Sequence, residues 1–247
     1  MVTIMKNEKI EEIEQGIYSL GGRASDCHSY LIRATSKNVL IDSGLDSSFL
    51  SLQEQFFSLG LKLKDIELVI NTHEYLDHIG ANRYFQDSAF VAAHRSAATK
   101  ITLGDHYVTL YRSRDLNEVP LQVHLWLENR FLFDLGSHSL EVIHTPGHTS
   151  GSTCIYESTT RVLFSGDTLF AGGVLSYIAE SGSLGDYINS IMCLQTRKIS
   201  VIYPGHGAIS KHPEQDLSQA VVNAKKLLEG DQGVCLSPHR PASAASQ

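Results

Sequence analysis

The chain of 247 residues carries a formal net charge of −7 and is 42% hydrophobic. A chain of this length and apolar content can bury one large core, and α/β domains of this size are often single. The acidic balance provides no basic footprint for nucleic acid, which argues against nucleic-acid-cleaving functions. No apolar run reaches the ~18 residues that a membrane helix needs, so neither nucleic acid nor membrane is expected as a partner.

The predicted elements alternate along the chain, which favours an α/β fold. Strands are predicted near 28–33, 38–42, 67–71, 89–93, 131–134, 139–143, 153–157 and 161–165, and helices near 47–59, 80–85, 184–194 and from Pro213 onward. In the last helix, a core-facing stripe is predicted from the spacing of Leu217, Val221, Ala224 and Leu228.

We predict a single domain over residues 1–236, followed by a disordered tail from Ser237 to Gln247 that is rich in Ser, Ala and Pro. The interval from Arg95 to about Glu128 has a weaker pattern. Together with Leu175 to Gly185, it is expected to shape the substrate pocket. The aromatic and basic residues scattered through the first interval are Tyr107, Tyr111, Arg112, Arg114 and Trp126.

Metal-capable side chains directly follow the strand predicted near 67–71. The run Thr72-His73-Glu74-Tyr75-Leu76-Asp77-His78 places His73, Asp77 and His78 close together in sequence. Neutral imidazole and carboxylate are ligands that zinc and iron prefer. Residues that follow the carboxyl end of a strand are also where α/β folds usually place their sites. The segment therefore predicts a metal site at the end of a sheet.

Three later strand ends carry metal-capable side chains in the same way. His148 follows the strand near 139–143 through a Pro-Gly turn, Asp167 follows the strand near 161–165, and His206 lies between Gly205 and Gly207. Glycine permits backbone angles that are closed to other residues, so these two glycines let His206 project from a tight loop. Four strand ends of this kind indicate one shared site rather than four unrelated turns.

These motifs resemble the metallo-β-lactamase superfamily of binuclear metal hydrolases. Its signature is Thr-His-x-His-x-Asp-His, followed by a lone His, a lone Asp and a final His. The resemblance runs from about residue 30 to 207 and includes Val39-Leu40-Ile41-Asp42-Ser43-Gly44. It implies a four-layer αββα sandwich with the site along one edge of the two facing sheets. It also implies two metal positions with a hydroxide between them: His73 and His148 at the first, Asp77, His78 and His206 at the second, and Asp167 bridging both.

Asp77 is the predicted catalytic residue, because its carboxylate would hold a metal and also accept the proton of the bound water. Asp42 is expected to support a metal-binding His from behind, as such sites usually require. His94 and His144 lie beside the motif loops. They are weaker candidates for substrate contact, because loop histidines often only satisfy backbone groups.

One position departs from the family signature, since Tyr75 stands where the second His is expected. Flavin-linked diiron relatives carry Glu there, but the Glu of this chain is Glu74, one residue out of register. A phenol normally titrates near ~10, so Tyr75 is a poor ligand unless a metal ionises it. We predict that Tyr75 lines the pocket and binds substrate through a hydrogen bond. The alternatives are phenolate ligation of a metal and a degenerate site.

The resemblance implies a metal-dependent hydrolase that uses metal-bound hydroxide on a small thioester, lactone or ester. Zinc is the expected cofactor, as one or two ions, with iron as the alternative. Two other functions stay open: an iron-dependent oxidative enzyme of the same fold, and a non-catalytic binding protein with a degenerate metal site. A small molecule is the expected partner, and a homodimer is compatible with the sequence. The first residues lead into acidic polar sequence rather than a signal-peptide core, which predicts cytoplasmic residence.

Overall fold

The computed structural model describes residues 10–21, 26–110 and 121–230, and its strands form two sheets. The first sheet contains, in spatial order, β1 (Glu11–Glu14), β2 (Ile17–Leu20), β3 (Ser29–Arg33), β4 (Asn38–Ile41), β5 (Leu68–Asn71), β6 (Phe90–His94) and β7 (Leu125–Leu127). The second contains β8 (Leu132–Asp134), β9 (Ser139–His144), β10 (Thr153–Glu157), β11 (Val162–Gly166) and β12 (Val201–Pro204), in the spatial order β12-β11-β10-β9-β8.

Helices cover the outer faces of both sheets. The α-helices of the described residues are α1 (Phe49–Ser58), α2 (Leu76–Ile79), α3 (Arg95–Thr102), α4 (His106–Thr109), α5 (Leu184–Leu194) and α6 (Pro213–Leu228). Helix α1 packs on the first sheet, and α5 and α6 pack on the second. The predicted four-layer αββα sandwich is therefore confirmed.

The strand β5 shows why the sequence produces this layering. Successive side chains of a strand point to opposite faces. Leu68 and Ile70 point into the core between the sheets, whereas Val69 packs beneath α1. All three are buried. A strand covered on both faces needs apolar residues at every position, so it reads as an unbroken apolar run.

Strand directions bring the ends of the two sheets together. Strands β4, β5 and β6 are parallel, as are β11 and β12, so the carboxyl ends of each set lie at one edge. A backbone hydrogen bond of 2.8 Å from the Thr153 amide to the Thr72 carbonyl joins the two sheets at that edge. The loops that carry the predicted ligands therefore open on a common edge.

Several local expectations were inaccurate. The hairpin of β1 and β2 was not predicted, because the Glu-rich sequence of β1 reads as solvated loop. The buried face of α6 is formed by Pro213, Leu217, Ala220 and Ala224. Leu228, the last residue of α6, is 62% exposed. The predicted disordered tail lies outside the described residues.

The described parts of the 95–128 interval, residues 95–110 and 121–128, contain α3, α4 and β7. Tyr107 and Trp126 are 86% and 51% exposed, and no described contact links them to the predicted ligands. Tyr111, Arg112 and Arg114 lie outside the described residues. None of the helices in the described ranges combines the length and apolarity needed to cross a bilayer.

Candidate metal centre

The predicted ligands come from four strand ends of the two sheets. Strand β5 ends at Asn71, and the chain then turns through His73 and Tyr75 into α2, which carries Asp77 and His78. His148 lies in the loop between β9 and β10, Asp167 directly follows β11, and His206 follows β12.

The structure brings these side chains together. The Nε2 atom of His206 lies 3.1 Å from Oδ2 of Asp77 and 3.7 Å from Oδ1 of Asp167. The Nε2 atoms of His78 and His148 lie 3.5 and 3.9 Å from the carboxylate oxygens of Asp167. The ring centroids of His73 and His78 are 4.0 Å apart. Asp167 therefore lies between ligands from both sheets.

Buried polar atoms at this point lack hydrogen-bond partners among the described residues. They include the Nε2 atoms of His73, His78 and His148, and the Oδ1 atoms of Asp77 and Asp167. A buried polar atom without a partner is costly, so a cluster of such atoms indicates a cation-binding site. Imidazole nitrogens and carboxylate oxygens are a suitable donor set for a divalent metal such as zinc.

The side chains form two overlapping groups whose potential ligand atoms lie within 4.8 Å of one another. One group contains His73, His78 and Asp167, and the other contains Asp77, His78 and His206. The grouping differs from the implied assignment, which gave His78 to the second position only. Since His78 belongs to both groups, its imidazole could serve either position.

Asp42 supports the centre from behind, as predicted. Its Oδ2 lies 2.8 Å from Nδ1 of His78 and accepts a hydrogen bond of 2.7 Å from the Thr72 hydroxyl. Its Oδ1 accepts a hydrogen bond of 2.8 Å from the Thr72 amide. A carboxylate on Nδ1 fixes the ring orientation and leaves Nε2 to face the centre.

His148 is fixed by residues that sequence reasoning did not single out. Its Nδ1 donates to the Tyr177 carbonyl at 2.6 Å, and the Ser176 hydroxyl lies 3.0 Å from the same nitrogen. Both residues belong to the 175–185 interval that was expected to shape the pocket. No motif marks them. Tyr177 uses a backbone carbonyl that any residue could supply, and Ser176 uses a single hydroxyl far from His148 in sequence.

Gly205 lets the backbone pass close to the centre. A Cβ atom at this position would lie 2.6 Å from Oδ1 of Asp167 and 2.8 Å from Cε1 of His78. Any larger residue would occupy the space between these side chains. The Pro-Gly turn before His206 therefore has a steric role as well as a conformational one.

The electrostatics suit a cation. Burial opposes ionisation of Asp167, but His206 and His78 hold the pKa of its carboxyl well below the ordinary value. Burial and the neighbouring His78 and His148 lower the pKa of His73 well below the ordinary value, so its imidazole is neutral. Burial opposes protonation of His206, but Asp167 and Asp77 raise its pKa. Where His206 is protonated, cation binding to its imidazole would release that proton.

Tyr75 occupies the place of the missing His. The residue is 3% exposed, and its ring centroid lies 4.9 Å from that of His148 and 5.2 Å from that of His73. Burial raises the pKa of its phenol, so the hydroxyl stays protonated. Glu74 does not replace the missing ligand, because its carboxylate binds Lys100 at 2.6 Å and points away from the centre.

His94 and His144 stack on each other, with ring centroids 3.7 Å apart. Nδ1 of His94 accepts a hydrogen bond from the Ser96 amide, and Nε2 of His144 lies 3.0 Å from the Ser150 carbonyl. These contacts satisfy backbone groups at the start of α3 and in the His148 loop, and neither is a contact with the predicted ligands.

The family model for the metallo-beta-lactamase superfamily matches residues 22–206 of the chain. The chain belongs to the metallo-β-lactamase superfamily. Among curated proteins, it is 34% identical over 207 residues to a probable metallo-hydrolase of Methanocaldococcus jannaschii, covering 78% of this chain and 93% of that protein. It is 29% identical over 223 residues to acyl-coenzyme A thioesterase MBLAC2 of Homo sapiens, covering 78% and 76%.

Solved structures of the superfamily share the fold. A metallo-β-lactamase from Cronobacter sakazakii, a variant of its HARLDQ motif, aligns with a TM-score of 0.75 at 20% identity and covers 91% of this chain and 96% of that chain. The class B3 di-zinc enzyme LRA-12, from an Alaskan soil metagenome, aligns with a TM-score of 0.71 at 20% identity and covers 93% and 97%. Family membership and the named relatives support the prediction of a metal-dependent hydrolase.

Proposed function

We propose that this superfamily member is a zinc-dependent hydrolase of small thioesters, with lactones and esters as the alternative substrates. The proposal is carried by the convergence of buried imidazole and carboxylate atoms that have no hydrogen-bond partner within the described part of the chain, from His73, His78, His148, Asp77 and Asp167. A relative named as an acyl-coenzyme A thioesterase supports the thioester class.

When bound, a metal would activate water and polarise the carbonyl of the substrate. His73 and His148 would provide the first metal position, and Asp77, His78 and His206 would provide the second. Asp167 would serve both. Asp77 has a second role. Its Oδ2 faces His206, while its Oδ1 has no partner among the described residues and can accept a proton.

Tyr75 would contact the substrate. Its ring lies against the imidazoles of His73 and His148, and its hydroxyl remains protonated because burial raises the phenol pKa. A protonated hydroxyl can donate a hydrogen bond to an oxygen of the substrate. A homodimer, cytoplasmic residence and a single domain over residues 1–236 remain predictions.

Metal analysis and a substrate panel test the proposal. Protein purified without added metal should contain one or two equivalents of zinc by elemental analysis. It should hydrolyse acyl-coenzyme A thioesters faster than lactones or carboxylic esters of matched acyl length. Coloured, iron-containing protein with oxidative activity would instead support the iron enzyme, and protein that binds no metal would support the degenerate binding protein.

Asp77→Asn tests the catalytic assignment. The carboxamide cannot accept the proton, so turnover should fall by at least the ~10²-fold typical of losing a general base. The matched control is Asp87→Asn, which changes an exposed acid to its amide and should leave turnover unchanged. Near-normal hydrolysis by metal-replete Asp77→Asn would contradict the assignment.

A further inference from the structure

A largely buried ion pair, with side chains that are 0% and 17% exposed, lies beside the candidate metal centre. The carboxylate of Glu74, between His73 and Tyr75 in sequence, is 0% exposed. Its Oε1 accepts a hydrogen bond of 2.6 Å from Nζ of Lys100, which belongs to α3. The pair lies behind the turn that carries His73, so it is separate from the proposed ligands.

The same pair also holds the loop that carries His148. Oε2 of Glu74 accepts a hydrogen bond of 2.9 Å from the Thr149 hydroxyl. Nζ of Lys100 donates to the Ser150 hydroxyl at 2.5 Å. Each member of the pair therefore binds the residues that directly follow His148 and also binds the other member. One ion pair joins a loop of the first sheet, a loop of the second sheet and α3.

The position of the ion pair suggests that it fixes the distance between the two ligand-bearing loops. Replacing a buried ion pair with apolar residues is often neutral or stabilising, so such a pair is weak evidence for a role in stability. Its hydrogen bonds, however, fix relative positions because charge-assisted donors and acceptors are directional. His73 and His148 lie next to the joined residues, and the position they form lacks the second His of the family signature. That position depends more than usual on how well the remaining ligands are placed.

We propose that Glu74 and Lys100 are positioning residues that hold the His73 and His148 loops at the separation needed for the first metal position. The proposal rests on the proposed function, because it assumes that these histidines bind a metal. The two residues act as a unit. Loss of either one would leave the charge of the other without its counter-ion and would loosen the contact between the two loops.

Three variants and one control test this clamp, by which we mean the Glu74–Lys100 ion pair together with its hydrogen bonds to Thr149 and Ser150. Glu74→Gln removes the charge and keeps the size, and Lys100→Met removes the ammonium and keeps the length; the double variant removes both charges. The control is Arg95→Met. Arg95 also lies on α3 and forms an ion pair of 3.1 Å with Glu128, but both side chains are exposed, at 65% and 64%.

Hydrogen exchange of the metal-free protein gives the first measurement. In Glu74→Gln and in Lys100→Met, amides of residues 72–75 and of residues 149–152 should exchange faster together, while Arg95→Met matches the parent protein. A general loss of stability would accelerate exchange throughout the sheets instead. Acceleration confined to the mutated residue's own segment, or spread evenly over the sheets, would overturn the clamp.

Zinc affinity gives the second measurement, by competition with a chromophoric chelator at a temperature where all variants are folded. In each single variant, zinc affinity at the position formed by His73 and His148 should fall by about tenfold or more, the range seen when supporting contacts of ligands are lost. The double variant should lose no more than the worse single variant, because the two residues act together. Parent-like affinity in both single variants would overturn the clamp and leave the proposed function intact. If the parent protein binds no zinc, the proposed function fails, and with it the role of the pair at a metal position.

Discussion

At the residue scale, Asp42 combines an unusual backbone with a supporting role. Its φ is +55°, a left-handed conformation that few residues other than Gly, Asn and Asp adopt readily. That conformation lets one carboxylate accept hydrogen bonds from the amide and hydroxyl of Thr72 and face Nδ1 of His78. Uncommon backbone angles of this kind cluster at functional sites.

Asp42→Asn should weaken metal binding and preserve the fold. Asn tolerates the same backbone angles, but its amide nitrogen cannot accept hydrogen bonds from His78 or Thr72. We expect a loss of about 10- to 100-fold in zinc affinity, measured by competition titration. Asp134→Asn, at the exposed end of β8, is the control and should bind zinc as the parent does. Equal affinity of the two variants would show that Asp42 does not orient His78.

Tyr75→Phe separates a substrate contact from a metal ligand. Metal content should be unchanged, and kcat/KM should fall by about 2- to 12-fold, which corresponds to a hydrogen bond of about 0.5–1.5 kcal/mol. Elemental analysis and steady-state kinetics measure the two effects. Loss of metal together with visible colour would identify an iron–phenolate bond and favour the oxidative enzyme.

Tyr75→His should restore the family signature. Residue 75 lies two positions from His73, and the Tyr75 ring already contacts both His73 and His148, so an imidazole at this position can reach the first metal position. The metal content should rise toward two equivalents per chain by elemental analysis, with Tyr75→Phe as the control. An unchanged content would show that position 75 does not limit metal binding.

At the element scale, the centre depends on how closely the strand ends approach one another. Ligands from β5 and β11 face each other because both strands end at the same edge, and the turn after β12 passes between them. Gly205 permits that approach, since no side chain separates it from Asp167 and His78.

Gly205→Ala should disturb the centre by steric means alone. The position has no positive φ, so alanine meets no backbone strain there, but its Cβ would lie 2.6 Å from Oδ1 of Asp167. We expect weaker zinc binding and a loss of about 1–3 kcal/mol in the unfolding free energy, the usual cost of overpacking. Chemical denaturation and zinc titration measure these effects. In α5 the nearest atom to a Cβ at Gly185 is Ser183 Oγ at 3.8 Å, so Gly185→Ala should leave zinc binding unchanged and should not lower the unfolding free energy. Similar losses in both variants would refute the steric argument.

At the scale of the whole molecule, buried histidines make stability depend on pH. Burial, His144, Arg95 and Lys100 lower the pKa of His94 to about 4, below the ordinary value of 6.5. Between pH 6.5 and about 4, His94 is therefore protonated in the unfolded chain but neutral in the folded protein. The stability due to neutral His94 is complete above about pH 6.5 and is lost as the pH falls toward 4.

His94→Asn should flatten this pH dependence. Asn retains a good helix cap at the start of α3, where Nδ1 of His94 accepts the Ser96 amide. Between pH 6.5 and 4 the metal-free parent should lose up to about 3 kcal/mol more unfolding free energy than the variant, since one pKa unit corresponds to about 1.4 kcal/mol. Urea denaturation across that range measures the difference. Parallel profiles would show that His94 is not the group responsible.

The sequence alone determined the alternation of strands and helices and the candidate ligands at the strand ends, and its motifs carry the family resemblance that implied the layered fold. Unbroken apolar runs mark strands that are covered on both faces, and His73, His148, Asp167 and His206 each follow such a run or a glycine turn. These signals lie within a few residues of one another, so they can be detected without knowing how the strands pair.

Only the tertiary structure decided how the centre is supported. The sequence predicted that Asp42 supports a metal-binding histidine, but not that this histidine is His78. The Tyr177 carbonyl that fixes His148 and the pairing of Glu74 with Lys100 also join distant parts of the chain. The chain pattern shows that Glu74 and Lys100 are charged, but not that both are turned inward onto one loop. Such contacts depend on strand pairing and helix packing, which bring together residues whose local sequences carry no sign of each other.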